Sequence, residues 1–264
     1  MLFRSINVGA IPIFADVDLN SGNITAETIS KVLTSKTKGI ICVHFAGWPC
    51  DMDPIMELAS LHNIKVIEDC AQACGGRYHN GKRLGSIGDI GCFSFNYYKL
   101  ISCGEGGALT TNDYQLYSRA LYLHHPAAAF ESKQNVFPNK PVARFNFRLN
   151  EIMAALLRVQ LQRLEEWTQS LIQIRKVCLE EISSHPLVEL PSYLNRQSGI
   201  HNYLCFVIPT TAVANHFASL LPNLKWDIFR PIDVPQYMCQ NWGGLLFVDN
   251  GERSEEHTSE LQSH

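Results

Sequence analysis

Two residues of complementary chemistry close separate apolar runs. Asp69 ends Val66-Ile67-Glu68. Lys99 follows the run Ile90 to Phe95 and precedes the turn Gly104-Glu105-Gly106-Gly107. An amine that can lose its proton forms a Schiff base with an aldehyde, and a carboxylate holds a ring nitrogen in its protonated form. Delivered from separate strand ends, the two are what a pyridoxal phosphate site needs, because a protonated pyridine ring accepts electrons. An arbitrary lysine is a solvated surface group; Lys99 is set apart by its place between Ser94-Phe95-Asn96-Tyr97-Tyr98 and a glycine-rich turn. An aspartate at a strand-to-loop junction also serves as a helix N-cap or turn residue, and the sequence leaves that role open for Asp69. The GEGG segment has neither G-x-G-x-x-G nor G-K-[ST] spacing, so it reads as a tight turn shaping the wall around Lys99.

The elements that position these groups follow from periodicity. Ile11 to Asp16 reads as a short strand. Ile24, Ile29, Val32 and Leu33 fit one face of a helix with Thr25 as N-cap. Gly39 to Val43 is the next strand. Asp53-Pro54 starts a helix whose stripe is Ile55, Leu58 and Ala59, and Lys65 to Glu68 is a third strand. Strands alternating with helices at this spacing indicate βαβ units and a mostly parallel α/β sheet. Cys92 to Phe95 and Ala108 to Thr111 read as short strands on either side of the lysine loop. Asp113 caps a helix running to Leu123, and residues 124–144 read as a long surface loop. Leu149, Ile152, Met153, Leu156 and Leu157 mark one face of a long helix extending towards Trp167. Tyr203 to Ile208 and Val213 to Leu221 suggest a small α/β unit.

EDCAQA, GDIGCFSFNYYK and GEGGALTTND, in this order and spacing, resemble the DegT/StrS family of nucleotide-sugar aminotransferases. The similarity begins near Gly9-Ala10-Ile11-Pro12, runs through VHFAGWPCDMD and continues to NFRLNEIMAALLRVQLQRLE. The resemblance implies a type I pyridoxal phosphate fold with a large domain over residues 1–165 and a small C-terminal domain over 166–252. It implies Lys99 as the attachment lysine and Asp69 as the partner of the pyridine nitrogen. It implies Gln72 on the phenolic oxygen, Ser94 on the cofactor phosphate, and Asn146 reaching the phosphate of a neighbouring subunit in a homodimer with a shared site. Arg148 is a structural or dimer-contact residue on this reading, and His44 and His201 fall where family members line the substrate cavity. Related dehydratases carry histidine at the lysine position, so lysine favours transamination, with glutamate or glutamine as amino donor and a nucleotide-linked keto sugar as acceptor. A cyclitol (keto-inositol) aminotransferase or another pyridoxal phosphate enzyme is an alternative; a non-catalytic fragment is a second. Both ends depart from the family: the N-terminal segment that cradles the phosphate is expected upstream of Met1, and Arg253 to His264, RSEEHTSELQSH, is identified as a translated sequencing adapter.

Composition narrows the remaining classes. The 264 residues carry a formal charge of −3, too balanced for a nucleic-acid surface or a membrane-binding patch. There is neither an apolar run of membrane-spanning length nor a signal peptide, so the chain reads as soluble and cytoplasmic. Nine cysteines lie mostly in apolar segments without a C-x-x-C pair. They read as buried reduced thiols, and no His/Cys set with zinc spacing accompanies Cys70 and Cys74.

Overall fold

Val66 and Glu68 alternate with Lys65, Ile67 and Asp69, and this period of two builds the strand at the centre of the fold. The computed structural model describes residues 2–18, 21–125, 146–183, 199–200, 203, 210, 212–213, 216 and 219. The sheet has the order β1 (Gly39–Val43), β2 (Lys65–Asp69), β3 (Ile90–Ser94), β4 (Gly107–Thr110). β1, β2 and β3 are parallel and β4 is antiparallel to β3, so the mostly parallel expectation holds for the described strands.

Two compact units divide the chain, one of residues 14–207 and one of residues 1–13 with 208–264. The second unit contains a short helix, α1 (Leu2–Asn7). The strand expected at Ile11 to Asp16 does not form. Among the described residues its apolar side chains have no sheet neighbour, and Ile11 is 86% exposed.

In the larger unit, α2 (Ala26–Val32) starts with a capping box in which Thr25 and Thr28 satisfy each other's backbone N–H. α3 (Met52–Leu61) begins one residue before the expected Asp53. Its first turn is capped by the Tyr78 phenol, which accepts from the N–H groups of Met52 (3.0 Å) and Asp53 (3.3 Å) and donates to Asp51 Oδ1 (2.9 Å). Ile40, Cys42 and Val66 from the sheet pack with Ile29 of α2 and with Met52, Ile55 and Ala59 of α3 in one apolar core. Full burial of side chains the size of Met52 and Ile55 contributes about 1.5–3 kcal/mol each.

α4 (Tyr114–His124) is capped by Asp113 as expected, its carboxylate accepting from Gln115 and Leu116 N–H. The loop expected at residues 124–144 lies almost wholly outside the described residues. The single long helix expected after Asn150 is two helices, α5 (Glu151–Gln162) and α6 (Leu164–Ile182), meeting at Arg163. α6, expected beyond a boundary at residue 165, groups with the sheet. The expected apolar face of α5 also divides. Leu157 is buried with Leu149 and Met153 beside Phe95, Ile101 and Cys103. Ile152 and Leu156 instead face outwards. Among the described residues no helix is long and apolar enough to cross a membrane.

Candidate active site

Parallel strands deliver their carboxyl ends to one edge of the sheet, where loops carry the chemistry. β2 ends on Asp69, whose register partner on β3 is Cys92. Ser94 lies two residues further along β3 and therefore on the same face. Asp69 is held from both sides, since His44 N–H donates to its carbonyl (3.1 Å) and Cys70 N–H donates to the Cys92 carbonyl (2.8 Å). Its side chain is half-buried, and Oδ1 accepts from Ala71 N–H at 3.0 Å.

After Ser94 the chain makes a turn in which Lys99 N–H donates to the Asn96 carbonyl at 3.0 Å. Buried Phe95 and Ile101 anchor this loop on either side of the lysine, against Leu157 of α5. Ser102 N–H donates to Gln160 Oε1 at 2.8 Å, tying the far side of the loop to the same helix. The GEGG turn closes back on the loop: Phe95 N–H donates to the Gly106 carbonyl at 2.8 Å, and Gly104 has φ +90°, which glycine adopts without strain. Lys99 is half-buried and its Nζ lies over the Tyr98 ring, 4.7 Å from the centroid.

Gln72 is oriented by a strained neighbour. Ala46 adopts φ 52°, unfavourable for a residue with a Cβ, and its N–H donates to Gln72 Oε1 at 2.8 Å. The amide is thereby fixed, with Nε2 unpartnered among the described residues. Asn146 is exposed and lies just before α5, and its Oδ1 accepts from Arg148 Nε at 2.9 Å. Nothing described brings Asn146 to Asp69 or Ser94 within one chain. His201 lies outside the described residues.

His44 occupies a different position from the one expected. It is fully buried, its Nε2 is 3.0 Å from Glu68 Oε2, and its Nδ1 accepts from Cys50 N–H at 3.1 Å. An Nδ1 that accepts leaves the ring proton on Nε2, donated to Glu68. Both nitrogens are spent inside the protein, which speaks against a substrate contact.

Glu68 is the residue that reading the sequence missed. Its Oε2 also accepts from Gly85 N–H (2.9 Å), and its Oε1 accepts from Ile87 and Gly88 N–H (2.7 Å each). The signal was available: the alternation places Glu68 on the same buried face as Val66, where a charge requires partners. Burial pushes its carboxyl up, but the His44 and backbone hydrogen bonds outweigh this and hold it below the ordinary 4.5. A lowered folded value means that this carboxylate stabilises fully above pH 4.5 and that the contribution is lost as pH falls through the folded value. Glu68→Ala is expected to destabilise by about 3–5 kcal/mol, because His44 and three backbone N–H groups lose their acceptor. Urea midpoints measured down the acid range should show a weaker pH dependence in the variant than in the wild type.

His44, Glu68 and Cys70 have ligand atoms within 4.8 Å of one another. The first two have spent their lone pairs, and burial pushes the Cys70 thiol up, so the trio lacks the free anionic donors that a metal needs. The seven described cysteines are all free thiols.

The carboxyl edge of the sheet, made by β2, β3 and the loops that follow them, thus carries Asp69, Gln72, Ser94 and Lys99. It also holds the Asn96 side chain, whose Oδ1 is buried without any partner. A buried acceptor left unpaired calls for a ligand or another donor.

The model of the DegT/DnrJ/EryC1/StrS aminotransferase family matches residues 5–229. GDP-perosamine synthase of Escherichia coli O157:H7 is 35% identical over 236 residues, covering 87% of this chain and 62% of the relative. The dTDP-3-amino-3,6-dideoxy-alpha-D-galactopyranose transaminase of Aneurinibacillus thermoaerophilus is 39% identical over 226 residues, covering 85% and 60%. The X-ray structure of the aminotransferase from Psychrobacter cryohalolentis superposes with a TM-score of 0.62 at 43% identity, over 71% of this chain and 50% of that one. The chain therefore spans between half and two thirds of the length of these relatives. The α/β architecture is the type I fold of pyridoxal phosphate aminotransferases. With its order of strands, its lysine loop and a match over most of its length, the chain belongs to the DegT/DnrJ/EryC1/StrS aminotransferase family.

Proposed function

We propose that this chain carries a pyridoxal phosphate site that moves an amino group from glutamate or glutamine to a nucleotide-linked keto sugar, in the cytoplasm. The observation that carries the reading is the delivery of Asp69 and the Lys99 loop by adjacent parallel strands, with the loop anchored on both sides of an uncommitted amine. The names of both curated relatives are those of nucleotide-linked amino sugars.

The residues present fit the cofactor. Lys99 Nζ would hold it covalently, and Asp69 would accept from its protonated ring nitrogen through the carboxylate oxygen that Ala71 leaves free. Gln72 Nε2 would donate to the phenolic oxygen, and Ser94 Oγ would donate to the phosphate. When bound, pyridoxal phosphate withdraws electrons from the α-carbon of the amino donor and makes its proton removable. Lys99, once released, would take that proton and return it, acting as base and then acid.

The site is completed by a second copy of the chain, with Asn146 supplying the neighbouring subunit's phosphate contact. Ile152, Leu156 and Val159, at i, i+4 and i+7 on α5, are 73%, 55% and 59% exposed and form an apolar stripe on the helix that follows Asn146 in the chain. Such a stripe suits a self-complementary dimer face continuous with a residue acting across it.

The test is direct. With pyridoxal phosphate the protein should gain a visible band that borohydride abolishes, and peptide mapping should find the pyridoxyl group on Lys99. Isotope-labelled glutamate offered with nucleotide-linked keto sugars and keto inositols should label the sugars. Label in the inositols alone would favour the cyclitol reading, and a protein that takes up no cofactor would reject both.

A further inference from the structure

Two unsatisfied groups of opposite kind lie three residues apart on one turn. Asn96 Oδ1 is a buried acceptor with no donor. Lys99 Nζ is a donor with no oxygen acceptor among the described residues, resting over the Tyr98 ring. The Lys99 N–H to Asn96 carbonyl bond makes them the first and fourth residues of a β-turn, whose Cα atoms stand within about 7 Å of each other. A lysine side chain is long enough to cross that gap, and Tyr97 and Tyr98, the middle of the turn, are exposed.

We propose that Asn96 is a positioning residue for the reactive lysine: its carboxamide oxygen accepts from the Lys99 ε-amino group whenever that group is not held elsewhere. This deepens the reading above and rests on Lys99 being the reactive amine. The chemistry suits the task. A neutral amide accepts from the amine in either protonation state and favours the ammonium only weakly, whereas a carboxylate in the same place would hold it as ammonium. Asn96 lies two residues past Ser94, the end of β3, at the start of the turn that carries Lys99. The amine would then have two resting places, the Tyr98 ring and the Asn96 oxygen, both built into one rigid turn.

The test reads the amine itself, without cofactor. Limited acylation followed by mass spectrometry gives the rate at Lys99 relative to exposed Lys36. Asn96→Asp is expected to slow Lys99 acylation about tenfold at neutral pH, the effect of raising an amine's pKa by one unit. Asn96→Ala is expected to speed it about threefold by removing an acceptor for the ammonium form. The thermal midpoint of Asn96→Ala should stay within about 4 °C of the wild type, because the acceptor's partner is an amine that keeps the Tyr98 ring as its other resting place. With cofactor and substrates, Asn96→Ala should lower kcat and leave KM for the amino donor within about twofold, as loss of an interaction in the transition state alone does. Lys99 acylation unmoved in both variants would overturn the proposal. So would a midpoint of Asn96→Ala lowered by more than about 5 °C, the mark of a structural amide. A wild-type protein that binds no pyridoxal phosphate yet shows these acylation shifts would sink the enzymatic reading and leave the Asn96–Lys99 contact standing.

Discussion

Lys99→Ala should reduce amino transfer to background and leave nothing for borohydride to trap. On the proposed mechanism the side chain supplies both the covalent anchor and the proton shuttle, and no other amine stands on the same loop. The fold should persist. The loop is secured by Phe95, Ile101 and the Ser102–Gln160 contact, none of which uses the lysine side chain. Truncation of a half-buried side chain whose one described contact is the Tyr98 ring should alter stability by about 0.5 kcal/mol or less. Kinetics and urea midpoints on the same preparation therefore separate chemistry from folding. Substantial turnover in the variant would remove Lys99 from the mechanism.

The first two strands of the sheet are legible because their patterns are local. Gly39–Val43 was placed on its observed bounds, and Lys65 to Glu68 was extended by one residue, to Asp69. Thr25 and Asp113 were identified as caps by side-chain type at the start of apolar periodicity, and each accepts the expected backbone donor. These features depend on neighbours within about four residues.

What escaped depended on distant partners. Ile11 to Asp16 has the composition of a strand, but a strand exists only when another pairs with it. The break at Arg163 carries neither proline nor glycine. Its residue keeps a helical conformation, φ −97° and ψ −1°, while the helix ends beside it. Tyr78 caps α3 from 26 residues away, a relation that no periodicity encodes. His44 was read from its position near a strand end, whereas its role is set by Glu68 on the adjacent strand and by Cys50 in the next turn. The candidate site divides in the same way. Asp69 and Lys99 stand out by type and spacing, while Asn96 becomes visible only once its acceptor is found buried and alone.

Asp69→Asn should bind cofactor and form the covalent link to Lys99, but turn over about 10²- to 10³-fold more slowly, the range for removing one preorganised electrostatic partner. The substitution is close to isosteric. An asparagine oxygen can still accept from Ala71 N–H, so the turn after β2 keeps its local hydrogen bond. The backbone contacts that fix position 69, from His44 N–H and between Cys70 and Cys92, involve no side-chain charge. The variant therefore changes one thing: a neutral amide no longer favours the protonated ring nitrogen. Without that proton the ring is a weaker electron sink, and the α-proton of the amino donor becomes harder to remove. Single-turnover kinetics with α-deuterated glutamate should show a larger isotope effect than in the wild type, because proton removal becomes more fully rate-limiting. A variant with wild-type rates would place the Asp69 carboxylate outside the chemistry and leave it the turn aspartate that its Ala71 contact also describes.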